Sequence, residues 1–283
     1  MKRFLTALAL ASIAFGGAAE AKDFKEGSKV RIATEGAYAP WNFTDSSGKL
    51  AGFEVDLYAD LCERMKVQCE LLQTAWEGII PALQAGKFDA IMAGMSITDK
   101  RKEVITFSRN YMGSPASLVV LKSSPLASFD AGLPTISLAD VDGGEMAALD
   151  KMKAALNGKT VGVQISTTHE NFLNEYMAGT VTVKTYDTQE NLDLDLAAGR
   201  IDAALASLSY WVPLLEGEKG ENMKLTGPKM DGGPFGNGVG AGIRQDDQEL
   251  ADMFTVAIDA AIADGTISKL STKWFGFDGT PKD

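Results

Sequence analysis

Histidine is almost missing from this chain: His169 is the only one among 283 residues. Cysteine is nearly as scarce, with Cys62 and Cys69 the only two. Three such side chains are too few for a usual zinc site, and a lone histidine argues against a Ser-His-Asp triad, so neither zinc chemistry nor such a triad is expected. Basic residues are also short: 27 Lys and Arg stand against 38 Asp and Glu, a formal net charge of −11. That balance argues against nucleic acid and anionic membrane as partners and leaves room for a cationic ligand. Long apolar runs are absent beyond the N-terminus, so no membrane span is expected in the mature chain.

The one apolar stretch of any length opens the sequence. MKRFLTALALASIAFGGAAEAKD carries Lys2 and Arg3, then apolar residues from Phe4 to about Phe15, then the small-residue site Ala19-Glu20-Ala21. This reads as a secretory signal over residues 1–21, cleaved after Ala21, which marks the mature protein for export. A membrane anchor is the weaker reading, because the run falls short of the roughly 20 residues a span needs. In an exported chain the close pair in LCERMKVQC reads as one disulfide, Cys62–Cys69, stapling a helix end to the next strand.

Past the signal, β-type runs alternate with helical ones. KVRIATE reads as a strand, and GFEVDLYADLCERM as an amphipathic helix with Phe53, Leu57 and Leu61 on one face. CELLQTA is a strand, WEGIIPALQAG a helix ending at Gly86, and KFDAIMAG a strand. A second unit repeats the alternation from GKTVGVQIST through RIDAALAS. LQAGKFDAIMAGMS (83–96) is echoed by LAAGRIDAALASLS (196–209), a period too long for a solenoid. The expected fold is therefore α/β with two similar lobes, each on a largely parallel sheet. Residues 22–115 and 238–283 are assigned to one lobe and 116–237 to the other, with a hinge in the crossings near 113–118 and 232–241. Residues 128–158 read as a polar surface insertion with one short helix, and 227–244 as a glycine-rich return followed by a strand. DDQELADMFTVAIDAAIADG and TISKLSTKWFG are closing helices.

Three places could carry chemistry. In SITDKRKEVITFS, Thr98 is a helix N-cap that puts Lys100, Arg101 and Lys102 in the first turn, where the helix end disfavours cations. Arg101 with exposed amides makes a fork for a carboxylate; the plainer alternative is a solvated basic turn paired with Glu103. In QISTTHENFL the capping box Thr167-x-x-Glu170 starts a helix, with Thr168 facing a cleft if it does more than that. His169 beside it reads as an exposed first-turn residue. In TEGAYAPWNF, Glu35 and Tyr38 follow a strand, and Trp76 follows the next one. Open α/β sheets bind ligands at such strand ends, so a cation held between Tyr38 and Trp76 with Glu35 as counter-charge is one reading. The other is that these rings pack under their loops, Trp41 above all.

TEGAYAPWNF, GKLAGFEVDL, FDAIMAGMSITDKR and VGVQISTT, in this order and spacing, resemble the periplasmic solute-binding proteins of polar amino-acid ABC transporters. The likeness covers essentially the whole mature chain and is strongest to the lysine/arginine/ornithine–histidine branch, nearest its octopine- and nopaline-binding members. It implies two lobes on a two-stranded hinge (the type II periplasmic-binding-protein fold), closing on one amino acid that is passed to an inner-membrane permease. It implies a monomer without a cofactor, and it also matches the C-x6-C disulfide. Carried over by motif, Arg101 grips the ligand α-carboxylate, helped by Ser96 and amides near Gly94 and Thr168. Tyr38 and Trp76 stack on the side chain, Glu35 meets its distal cation, and Gln164 and Ser166 line the second wall. Where binders of plain amino acids carry an aspartate for the α-ammonium, this chain has Ser207. A neutral residue there suits an opine, whose secondary amine bears a second carboxylate. A secreted enzyme of the same fold, the cyclohexadienyl dehydratase type, is the rival, with Glu35 as the available general acid. A receptor sensing domain is a third class, and it would call for a membrane span that is not expected after the last helix.

Overall fold

The computed structural model describes residues 23–281, so the expected signal and its cleavage after Ala21 lie outside the described residues. The first part of the chain forms β1 (Lys29–Thr34), β2 (Ala37–Tyr38), β3 (Asn42–Thr44), β4 (Leu50–Ala51), α1 (Phe53–Met65), β5 (Gln68–Gln73), α2 (Ile79–Gln84), β6 (Ala90–Ile91), α3 (Asp99–Lys102) and β7 (Thr106–Phe107). The middle forms β8 (Ala116–Leu121), β9 (Thr135–Ser137), α4 (Gly143–Leu156), β10 (Thr160–Gln164), α5 (Thr168–Tyr176), β11 (Thr182–Tyr186), α6 (Gln189–Ala197), β12 (Ala203–Ser207), α7 (Leu208–Glu216) and β13 (Met223–Asp231). The chain then returns through β14 (Gly242–Ile243) to α8 (Gln248–Ala263) and α9 (Thr266–Phe275).

Two sheets result, ordered β5-β1-β6-β14-β7 and β11-β10-β12-β8-β13-β9. In the first, β1 runs parallel to β5 and β6, and β14 is antiparallel to β6. In the second, β10 runs parallel to β11 and β12, and β8 is antiparallel to β12. Each sheet thus has three parallel strands followed by an antiparallel one, β14 or β8, that comes in from a crossing, with β7 completing the first sheet and β13 and β9 the second. The crossings lie side by side: Tyr111 N–H donates to Val239 O at 2.9 Å, and Val239 N–H donates to Met112 O at 2.8 Å.

The sequence repeat has a local cause. In both lobes a helix ends on a glycine of positive φ, Gly86 at 71° and Gly199 at 66°. The glycine N–H bonds back three residues and the following residue's N–H five, to Leu83 O and Ala82 O in one lobe and Leu196 O and Asp195 O in the other. This is the Schellman closure that only glycine enters without strain. The next strand begins with an aspartate in the same two-bond ring: Asp89 N–H donates to Arg31 O while its carboxylate accepts from Arg31 N–H. Asp202 does the same with Thr160. The motif clamps each helix-to-strand return onto the neighbouring strand.

Phe53, Leu57 and Leu61 are fully buried along α1, which packs against α8 and α9. Each such side chain contributes roughly 1.5–3 kcal/mol by leaving water. Cys62 and Cys69 are bonded, tying α1 to β5.

Residues 128–158 are not a surface insertion. They supply β9, paired in parallel with β13, and the four-turn α4, whose Ala148, Leu149, Met152 and Leu156 fill the second core. The stripe is built partly from alanine and interleaved with Asp150, Lys151 and Lys153, so its periodicity is faint in sequence. The start of the expected glycine-rich return belongs to β13, whose ladder to β8 shifts register around Gly227 and Pro228. Helix α7 was not anticipated, because Pro213 sits inside it. Among the described residues no helix is long and apolar enough to cross a membrane.

Candidate functional site

The first wall of the cleft is built from turns at the ends of β1, β5 and β6. The β1 strand ends at Thr34, and Gly36 (φ 75°) turns the chain so that buried Glu35 faces inward. The left-handed φ at Gly36 favours glycine; the atoms a Cβ would meet, Gln73 Nε2 at 2.5 Å and Leu50 at 2.8 Å, are ends of movable side chains. Tyr38 lies in the two-residue β2 of a small sheet, β2-β3-β4, and its ring passes 3.5 Å from where a Gly94 Cβ would be. Buried Glu54 braces this wall, accepting from Gly94 N–H at 2.8 Å, from Asn42 Nδ2 at 2.6 Å and from the Tyr111 hydroxyl. Thr98 caps α3 as expected, accepting from Arg101 N–H at 3.2 Å.

The second wall repeats the construction in the other lobe. Gln164 ends β10, Thr167 caps α5 by accepting from Glu170 N–H at 3.2 Å, and buried Thr168 is the first helical residue. The reciprocal half of the capping box goes one residue earlier than the pattern predicts: Glu170 Oε2 accepts from Ser166 N–H at 2.6 Å. Ser166 therefore holds a φ of 60°, which non-glycine residues seldom adopt. Gln189 starts α6, and Ser207 ends β12 and stands at the N-cap position of α7. Counting along the repeat, Ser207 occupies in the second lobe the place Gly94 holds in the first.

Hydrogen bonds donated by four side chains join the walls, beside the stack of Tyr38 on Tyr210. Gln164 Nε2 donates to Glu35 Oε1 at 2.6 Å, and Trp76 Nε1 to Ile165 O at 3.1 Å. Arg101 donates to Ser96 O at 2.9 Å and, across the cleft, to Ser166 O at 3.4 Å, with its guanidinium 5.3 Å from the Trp76 ring centre. Trp41 Nε1 reaches Ser209 Oγ at 3.0 Å. Between the walls lies about 410 Å³ of empty space, part of it open to solvent.

Nine sequence-predicted residues line this space: Glu35, Tyr38, Trp76, Gly94, Ser96, Arg101, Gln164, Thr168 and Ser207. The tenth, Ser166, is exposed and offers the cleft only its carbonyl. The Gly94 amide is committed to Glu54 and is not turned to a ligand. Trp41 packs in the core, against Phe53 and Phe275. His169 is not exposed; it lines the cavity, where burial and the Arg101 charge push its pKa down to about 3 and keep it neutral. Gln189 and Thr167 also line the cavity. Both sit at the strand-to-helix junctions that locate the other site residues, so the same rule would have found them.

The electrostatics are unbalanced in a telling way. Among the described residues no carboxylate pairs with Arg101, whose pKa desolvation lowers to about 10, so it stays charged at neutral pH. Among the described residues Glu35 has no basic partner; burial lifts its carboxyl to about 7, helped by Glu54, Glu190 and Asp187 and opposed by the Gln164 hydrogen bond. Among the described residues the cavity thus brings together one cation and one acid, neither neutralised by a neighbouring side chain.

Two sheet-built lobes, paired crossings and a polar cavity between the walls define a two-lobed solute-binding protein. The chain belongs to the bacterial extracellular solute-binding proteins, family 3, which it matches over residues 30–277. It is 42% identical over 270 residues to the octopine-binding periplasmic protein of Rhizobium meliloti, covering 89% of this chain and 92% of that one. It is 36% identical over 258 residues to the L-arginine-binding protein of Pseudomonas aeruginosa, covering 90% and 91%. Among solved structures, a periplasmic His/Glu/Gln/Arg/opine family-binding protein from Silicibacter pomeroyi, in complex with lysine, superposes with a TM-score of 0.71 at 34% identity, covering 89% of this chain and 100% of that one. The family and the fold read from the motifs are borne out.

Proposed function

We propose that this protein is the periplasmic receptor of an ABC transporter for cationic amino acids or arginine-derived opines, which it hands to an inner-membrane permease. The observation that carries the reading is the pairing of an uncompensated guanidinium, Arg101, with an uncompensated buried acid, Glu35, on one cavity. A ligand with a carboxylate at one end and a cation at the other neutralises both. The names of the octopine- and arginine-binding relatives support this ligand class. In this reading the signal is removed after Ala21, and residues 22–115 with 238–283 close as one lobe on 116–237. The mature chain is a monomer, turns nothing over and needs no cofactor. Differential affinity for the closed state drives the closure.

The test is a thermal-shift panel of octopine, nopaline, arginine, lysine, ornithine and histidine. A true ligand at about 100 times its Kd stabilises by about 2.7 kcal/mol. A flat response to all six would overturn the reading. A second reading, a dehydratase, draws on the same raised pKa of Glu35, which suits a general acid near neutral pH. Turnover of prephenate would favour it; binding of the panel without turnover sets it aside.

The Glu35 carboxyl also fixes the pH response. Its pKa is raised to about 7 when no cation is near, and a bound cation favours the ionised form and draws it back down. Between the two values binding releases a proton, so affinity for L-arginine is expected to fall as pH drops below about 7, by up to about tenfold per unit. Glu35→Gln should flatten that profile. Calorimetry from about pH 8 to about pH 5 showing the same slope in both proteins would detach Glu35 from the cationic group.

A further inference from the structure

Tyr38 is the ring best placed to meet a bound side chain, yet its own element holds it weakly. The β2 strand has two residues and pairs only with β3. What fixes the ring is contact from outside β2, including a hydrogen bond between its own hydroxyl and Ser207 at the end of β12. On one side it lies against Gly94, and on the other it stacks on Tyr210 of α7, centroids 4.9 Å apart and planes 14° from parallel. Both rings are buried, Tyr38 8% and Tyr210 4% exposed, so neither orientation is set by water.

Tyr210 is anchored in turn. Its hydroxyl donates to Asp193 Oδ2 on α6, and Asp193 Oδ1 accepts from Gln189 Nε2 at 3.2 Å, one helical turn back. Gln189 itself lines the cavity, whereas Asp193 and Tyr210 do not; they line a groove on the far side. One carboxylate outside the cleft thus ties down two residues inside it, Gln189 directly and Tyr38 through a stacked ring. The two tied residues come from opposite walls.

We propose that Asp193 and Tyr210 are positioning residues for the binding cleft: the carboxylate holds the Tyr210 hydroxyl, and the Tyr210 ring holds Tyr38 against Gly94 in the orientation a ligand side chain meets. Tyr38 has one restraint of its own in the Ser207 hydrogen bond, and a stacked neighbour that is itself anchored at the para position adds a fixed face against which the ring packs. A platform ordered beforehand spares the ligand the ordering cost at binding. The consequence for affinity rests on the receptor reading above; the ordering of Tyr38 does not.

The test is therefore made on two levels with the mature protein. In NMR spectra of ring-labelled tyrosine, Tyr38 should show slow ring flipping in the wild type and fast flipping in Tyr210→Phe and Asp193→Leu. Asp193→Asn keeps an oxygen acceptor for the hydroxyl and should restore the slow regime. With L-arginine as probe, calorimetry should show about a tenfold loss in Tyr210→Phe, the size of one hydrogen bond to a charged group. Asp193→Leu, which also frees Gln189, should lose at least as much, the double variant should lose no more than Asp193→Leu alone, and near-wild-type affinity is expected in Asp193→Asn. A general loss of stability would make the two substitutions add and would not be rescued by asparagine. Unchanged Tyr38 flipping in both cutting variants overturns the proposal whatever the protein binds. Absence of arginine binding in the wild type with altered flipping in the variants counts against arginine as ligand and leaves the positioning role supported.

Discussion

Arg101→Ala is expected to abolish binding of every ligand that enters the cleft by its carboxylate. The guanidinium is held by two carbonyls, Ser96 O and Ser166 O, and by the Trp76 face, and among the described residues no carboxylate pairs with it. A carboxylate drawn into the cavity without it is a buried charge left alone, which costs about 3–5 kcal/mol, roughly two hundred- to several thousand-fold in affinity. The fold should tolerate the change. Desolvation already lowers the pKa of Arg101, so its removal relieves a cost while losing two hydrogen bonds to carbonyls. Arg101→Lys keeps the charge but loses the planar fork, and an intermediate affinity is expected. Calorimetry decides: near-wild-type affinity in Arg101→Ala, with an unchanged melting curve, would remove the carboxylate site from this residue.

Much of the arrangement that makes Arg101 available could be read from the sequence, because it sits in short-range signals. The Thr98 cap, the Thr167 cap and the glycine stops at Gly86 and Gly199 each follow from residues three to five apart, and each is found in the structure. The paired phrases around Asp89 and Asp202 revealed two lobes for the same reason, since each closes a hydrogen-bonded ring of its own. What was hidden depends on contacts made at long range. Helix α4 presents a stripe broken by charge, and it reads as core only once β9 has joined β13 beneath it. The Gly94 amide could not be known as occupied until Glu54, forty residues away, was seen to take it. His169 reads as exposed on its own helix but is half-buried and lines the cavity, where desolvation and then the Arg101 charge lower its pKa. In a two-lobed protein the missing information lies mostly in how one wall covers the other.

Ser207→Asp is expected to move two ligand classes in opposite directions. Ser207 ends β12, lines the cavity and hydrogen-bonds Tyr38, and it stands at the N-cap of α7 without using its hydroxyl to cap. Aspartate is a favoured N-cap residue, so the substitution should leave α7 intact and act on the cavity alone. By the family resemblance an aspartate at this place meets the α-ammonium of a plain amino acid. For arginine or lysine the new carboxylate adds a charge-assisted hydrogen bond of about 1.5–3 kcal/mol, at least tenfold in affinity. An opine brings a second carboxylate on the same nitrogen, and a like charge in a poorly solvated cleft costs several kcal/mol, a loss of a hundredfold or more. Part of the gain for arginine is offset because the introduced carboxylate would also repel Glu35, whose carboxyl burial already raises to about 7. Titrating wild type and variant with octopine and with arginine at about pH 8, on the ionised side of the Glu35 titration, limits the share of proton uptake in the comparison. A fall for both ligands would place Ser207 away from the ligand nitrogen. A rise for both would mean that the second carboxylate lies elsewhere in the cleft, and that serine here does not select opines.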